Sequence, residues 1–152
     1  MRVFLVQHGE ALEEAVNPER PLSEKGLMQM KKCGEFLKKL PTYPALILHS
    51  DKKRSLESAE IISFALGGIK TETRPYIAPN DDIDKMLKEI EKQNESVLIA
   101  GHMPFLRKLL DALIKRKGTE PVIEFCNGSP LILVRSDRGY VIETYIKNEF
   151  IK

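Results

Sequence analysis

VFLVQHGEA, from Val3 to Ala11, sets four consecutive apolar residues ahead of a glutamine, a histidine and a glycine. A continuous apolar run closed by Gly reads as a strand buried on both faces, which requires a sheet covered by helices on each side. Ser96 to Ala100 repeats the pattern, an apolar strand running into Gly101-His102. Between the two, Ala45 to Leu48 forms a third short apolar strand ending in His49-Ser50, and Lys70 to Thr73 a weaker one. Strands separated by helical patterns mark a mainly parallel sheet.

The helices follow from spacing and end signals. Ser23 in Pro21-Leu22-Ser23-Glu24-Lys25-Gly26 is the natural N-cap of a helix with Leu27, Met30, Gly34, Leu37 and Leu40 on its apolar side, stopped by Pro41. Leu56, Ala59, Ile62 and Leu66 mark a second helix closed by Gly67-Gly68, and Asp82 caps a third that carries Ile83, Met86, Leu87 and Ile90. A fourth has Pro104 in its first turn and Leu106, Leu109, Leu110, Leu113 and Ile114 inward. Lys115-Arg116-Lys117 lies at its negative end and Gly118 closes it. Ser129 to Ser136 and Tyr140 to Lys147, joined by Asp137-Arg138-Gly139, read as a terminal hairpin. The expected architecture is a three-layer α/β/α fold with a mainly parallel sheet, helices on both faces and a C-terminal β-hairpin.

At 152 residues the chain accommodates one full core and reads as a single domain spanning 1–152. Its 24 basic and 22 acidic residues leave a net charge of +2, which gives no case for nucleic-acid or membrane binding. Met1 leads directly into the first strand, and no apolar stretch approaches the roughly 18 residues of a membrane span, so a soluble cytoplasmic protein is expected. Cys33 and Cys126 have no paired spacing and read as buried free thiols.

Right-handed crossovers bring the ends of the parallel strands to one edge of the sheet, where open α/β sheets bind ligands. His8 and His102 can converge there. His102 also precedes a helix N-terminus, whose free N–H groups favour an anion, and Arg54 adds a guanidinium able to hold two phosphate oxygens at once. Two imidazoles, an arginine and a helix N-terminus describe a phosphate site.

QHGEA, PLSEKG, SDKKRSLESAE and AGHMP stand in an order and spacing that resemble the histidine phosphatase superfamily, strongly over the first two thirds of the chain and weakly over the hairpin. The chain is most similar to the short phosphohistidine phosphatases of the SixA type, within the phosphoglycerate mutase-like fold, and has no room for an inserted substrate cap. The resemblance implies transfer of a phosphoryl group to His8 as nucleophile, followed by hydrolysis, with Arg54 and His102 on phosphate-binding positions and neither metal nor cofactor required. It also implies a histidine-phosphorylated protein as partner, for example a phosphotransfer protein, and inorganic phosphate as product.

Gln7 departs from the pattern, standing where the family places a phosphate-binding arginine. Glutamine donates a hydrogen bond without charge, and the difference between a charge-assisted and a neutral bond, about 1 kcal/mol or more, predicts an attenuated site. Glu10, Arg20, Ser50 and Asp81 are possible accessory residues. Glu10 can also be read as a solvated carboxylate, Arg20 as a surface cation, Ser50 as a strand-end cap and His49 as a packing residue. Asp81 and its neighbour Asp82 are the nearest candidates for a general acid, and neither matches the family's pattern well. A phosphoramidate leaving group needs less protonation than an alkoxide, which favours phosphohistidine as substrate. Two readings stay open beside it: a small-molecule phosphomonoesterase, and a phosphate- or phosphoprotein-binding module weakened in catalysis by Gln7. A metal site built from His8, His49 and His102 lacks a fitting carboxylate or thiolate.

Overall fold

The computed structural model describes residues 1–118 and 120–152. Six strands form one sheet: β1 (Arg2–Gln7), β2 (Leu46–His49), β3 (Lys70–Thr73), β4 (Val97–Gly101), β5 (Pro130–Ser136) and β6 (Gly139–Tyr145). Their spatial order is β3-β2-β4-β1-β5-β6. The first four are mutually parallel, and the hairpin adds β5 antiparallel to β1 and β6 antiparallel to β5. Four helices cover the sheet: α1 (Glu24–Lys38), α2 (Lys53–Ala65), α3 (Asp84–Lys92) and α4 (Phe105–Leu113).

The apolar run of β1 shows why both faces must be covered. Phe4 and Val6 pack with Met30, Cys33 and Leu37 of α1 and Ala59 and Ile62 of α2. Val3 and Leu5 pack on the other side with Met86 and Ile90 of α3 and Phe105, Leu106 and Leu109 of α4. All four β1 residues are fully buried. Alternation along a strand divides its side chains between two cores, so a run without polar interruptions can only be a central strand of a three-layer fold.

Element ends follow side-chain chemistry, with corrections to the sequence reading. Ser23 caps α1, its hydroxyl accepting from the Gly26 N–H at 3.0 Å. Leu27, expected inward, is 37% exposed; the buried stripe of α1 runs Gly26, Met30, Cys33, Gly34, Leu37. The two glycines let neighbouring backbone and Ala65 approach where a larger residue would hold them off. In α2, Ser55 and Ser58 share the buried face with Ala59 and Ile62, while Leu56 and Leu66 are half-buried.

Gly67 and Gly68 close α2 with bonds back to Phe64 and Ser63. At the end of α4 that role falls to Lys115, in the left-handed region at φ 53°, rather than to Gly118. The Lys115 and Arg116 N–H groups return to the Ala112 and Asp111 carbonyls, ending the helix a turn earlier than the glycine implied. The N-cap of α3 is Ile83 rather than Asp82, whose carboxylate lies one position further out and accepts from the Asp84 N–H at 2.8 Å. Cys33 is buried, but Cys126 is only partly so, because it lies on the loop before β5 rather than on a packed element. No helix among the described residues is long and apolar enough to cross a membrane.

The strand order creates a crevice. From β1 the chain crosses by α1 towards β2 on one side of the sheet, and from the adjacent β4 it crosses by α4 to β5 on the other. Neighbouring strands whose connections diverge in this way leave an opening at their carboxyl ends. His8 follows β1 and His102 follows β4 at that opening.

Candidate active site

The backbone around His8 is held from both sides. Its N–H donates to the Gly101 carbonyl at 3.0 Å, extending the β1–β4 ladder by one bond. On the other side the Gly128 N–H donates to the Gln7 carbonyl at 2.9 Å and the Asn127 amide to the His8 carbonyl at 2.6 Å. The next residue is anchored through Ser58, whose hydroxyl accepts from the Gly9 N–H at 3.1 Å and donates to the Arg54 carbonyl at 2.7 Å. One serine therefore ties the loop after His8 to the helix turn that carries Arg54.

The ring of His8 is oriented by its own chain. Nδ1 lies 2.7 Å from the Gly9 carbonyl, and since a carbonyl only accepts, Nδ1 carries the proton and Nε2 keeps its lone pair. The Arg54 Nε–H points at that lone pair from 3.2 Å. Burial, foremost, and the charges of Arg54 and Arg20 push the His8 pKa down to about 4 against the smaller opposing effect of the Gly9 carbonyl, so the imidazole is neutral at pH 7. A neutral imidazole with a fixed tautomer and an available Nε2 is a nucleophile.

His102 stands 4.9 Å from His8 between ring centroids, with the planes tilted by 60°. Its Nε2 is 2.6 Å from Ser50 Oγ, and the Lys52 N–H donates to that same oxygen. Burial, and then the charges of His8, Arg54 and Lys52, lower its pKa to about 3. Its Nδ1 is a buried polar atom without a hydrogen-bond partner among the described residues, and so is Oε1 of Gln7 on the adjacent strand end. Buried polar groups are nearly always paired, and unpaired ones at a strand-end crevice mark a place built for a polar ligand. Burial, with the Arg20 charge as a second cause, lowers the Arg54 pKa from its ordinary value.

The structure thus brings Gln7, His8, Arg54, Ser50 and His102 to one edge, with Arg20 near enough for its charge to act on His8 and Arg54. Arg20 adopts φ 49° and bonds through Nε to the Leu12 carbonyl at 3.0 Å. The carboxylates are engaged elsewhere. Glu10 accepts from Ser23 and from Lys25, bracing the start of α1, and Asp81 accepts from the Ala78 N–H within its own loop. His49 is buried with Nδ1 against the Ser50 carbonyl, a packing position. No group of three or more His, Cys, Asp or Glu side chains among the described residues is arranged to hold a metal ion.

Ser55, Ser58 and Asn127 were not singled out by the sequence reading. The two serines recur at helical spacing with Ala59 and Ile62, a signal that the buried face of α2 is polar where it meets the strand ends. Ser55 donates to the Ala100 carbonyl and accepts from the Ser50 N–H, fixing the end of β2 against that of β4. Asn127-Gly128 reads locally as a turn and carries no sign of its reach across 119 positions to His8.

Comparison with solved structures places this arrangement on a known fold. The protein histidine phosphatase SixA in complex with tungstate superposes with a TM-score of 0.83 over the full length of both chains at 22% identity. The α-ribazole phosphatase of Shigella flexneri gives 0.77 at 14% identity over 97% of each chain. A phosphoserine phosphatase of Entamoeba histolytica in complex with 3-phosphoglyceric acid gives 0.73 at 14% identity over 96% of each. No curated protein matches the sequence. The family model of the histidine phosphatase superfamily, branch 1, matches residues 3–78, half of the chain, and this span carries Gln7, His8 and Arg54. The chain belongs to that superfamily and is a phosphatase of its type.

Proposed function

We propose that the chain is a phosphohistidine phosphatase that removes the phosphoryl group of a histidine-phosphorylated protein by way of a phosphorylated His8. The observation that carries the reading is the pairing of His8 Nδ1 with the Gly9 carbonyl at 2.7 Å, which leaves Nε2 unprotonated, its lone pair accepting from the Arg54 Nε–H until a phosphoryl group takes it. In the first step Nε2 attacks phosphorus and the P–N bond to the substrate imidazole breaks. The substrate ring departs as neutral imidazole, its other nitrogen already carrying a proton. In the second, water attacks the phosphorus on His8, the P–Nε2 bond breaks and phosphate is released. Arg54, Gln7 and His102 hold the three transferred oxygens, and the protein's task is positioning and charge compensation.

The carboxylates support this substrate class. Glu10, Asp81 and Asp82 each accept hydrogen bonds away from the His8–Arg54–His102 cluster. An ester substrate needs a proton from the enzyme for its alkoxide, whereas a phosphoimidazole protonated on its other nitrogen departs as neutral imidazole without one. The small-molecule phosphomonoesterase remains the second reading, because the α-ribazole and phosphoserine phosphatases share the fold.

Phosphate release from a histidine-phosphorylated phosphotransfer protein, measured beside a panel of phosphate esters, tests the choice. The expected result is turnover of the phosphoprotein and an acid-labile, alkali-stable phosphate adduct on the wild type that is absent from His8→Ala. Chelators are expected to leave the rate unchanged. Preferential turnover of the esters would move the assignment to the second reading, and an adduct on His8→Ala would remove His8 as nucleophile.

A further inference from the structure

Beside the catalytic edge lies a cleft of about 530 Å³ between the outer face of α1 and the loop before β5. Its lining includes Met28, 56% exposed, and Phe125, with Lys25, Lys32 and Lys147 among its charged residues. Glu149 is the one carboxylate in the lining. Lys25 is paired with Glu10, while Lys32 and Lys147 have no ion pair among the described residues. Three ammonium groups against Glu149 and the Glu10 paired with Lys25 leave the cleft net positive beside exposed apolar surface, in a chain whose net charge is only +2.

The cleft is joined to the site by shared residues. Asn127 lines it and donates to the His8 carbonyl, and Gln29 lines it and accepts from the Glu10 N–H. A macromolecule presenting a phosphoryl group to His8 therefore lays adjoining surface against this wall. Burial of Met28 and the lysine stems supplies contact area, and the ammonium groups set the required sign of the facing surface.

We infer that the cleft lined by Lys25, Lys32 and Lys147 docks an acidic segment of the phosphorylated protein substrate. The inference rests on the proposed phosphohistidine phosphatase activity and names the surface that this activity recognises. Docking outside the reacting group lowers KM without entering the transfer step, so its loss appears in KM and leaves kcat in place. A small phosphoramidate carries no flanking segment to lay against the cleft.

Two fluorescent peptides with one central phosphohistidine, flanked by glutamates in one and by lysines in the other, test the inference by polarisation and by phosphate release. The wild type is expected to bind the glutamate peptide at least tenfold more tightly, with the preference shrinking as salt is raised. Lys32→Glu with Lys147→Glu is expected to erase the preference while hydrolysis of the small phosphoramidate ion is unchanged. Equal binding of both peptides by the wild type, or a preference that survives the double substitution, would overturn the docking surface. Tight binding of the glutamate peptide without any phosphate release would leave the surface standing and remove the phosphohistidine substrate instead.

Discussion

Gln7 stands where the resemblance implies a phosphate-binding arginine, and its surroundings show what that exchange would cost. Its Oε1 is buried without a donor, so the side chain has traded a cation for an unpaired acceptor. An arginine at position 7 would remove that acceptor and supply charge-assisted donors from a strand end held by the Gly101 and Gly128 contacts. Gln7→Arg is expected to raise turnover of a phosphohistidine protein about tenfold, the rate equivalent of roughly 1.4 kcal/mol. A fall in turnover on Gln7→Arg, together with no effect of Gln7→Ala, would show that Arg20 already fills the charge and that position 7 does not touch the phosphate. Arg54 is the converse case. Its Nε bonds His8, and in the proposed mechanism its terminal nitrogens hold the phosphate, a division that lysine cannot reproduce, so Arg54→Lys is expected to lose most of the rate.

At the scale of elements, the site depends on how closely α1 lies against the loop after β1. A Cβ on Gly9 would stand 2.6 Å from the Gly26 carbonyl oxygen, and a Cβ on Gly26 would run into the Glu10 carbonyl. The two glycines interlock backbone with backbone, and the Gly9 carbonyl that sets the tautomer of His8 belongs to this contact. Gly26→Ala is therefore expected to destabilise the fold by about 1–3 kcal/mol and also to slow phosphorylation of His8 in the folded fraction. Gly34→Ala offers the comparison. Its Cβ would meet Ala65 at 2.6 Å in the crossing of α1 with α2, away from the loop that holds His8. A similar loss of stability with an unchanged phosphorylation rate is expected there, measured by urea unfolding and by adduct formation. If Gly26→Ala kept the full rate, the loop–helix contact would be structural alone.

Over the whole molecule, what could be read from the sequence was whatever is encoded locally. The buried runs of β1 and β4, the Ser23 cap, the Gly67-Gly68 stop and the two histidines beside glycines are each written within a few residues. The polar face of α2, the early end of α4 at Lys115 and the reach of Asn127 to His8 depend on tertiary contacts, and no local pattern announces them. The global consequence of the site is likewise invisible until His8 and His102 are seen buried together. Their folded pKa values, about 4 and about 3, lie below the ordinary value of 6.5, so the unfolded chain takes up protons at a higher pH than the folded one. The stability they contribute is complete above pH 6.5 and is lost as pH falls towards 4 and then 3. At about 1.4 kcal/mol per unit for each ring, lowering the pH from 7 to 5 is expected to cost about 4 kcal/mol, a large share of a normal domain's stability. The ion pairs of Glu10, Glu72 and Glu143 lower their pKa values, so the stability they contribute is lost chiefly below that interval. Urea unfolding at pH 7 and pH 5 should show this loss in the wild type and only a small one in the His8→Gln, His102→Gln double variant. An equal loss in both would mean that the histidines titrate alike in the folded and unfolded chains, and that the neutral, buried pair at the catalytic edge has been misread.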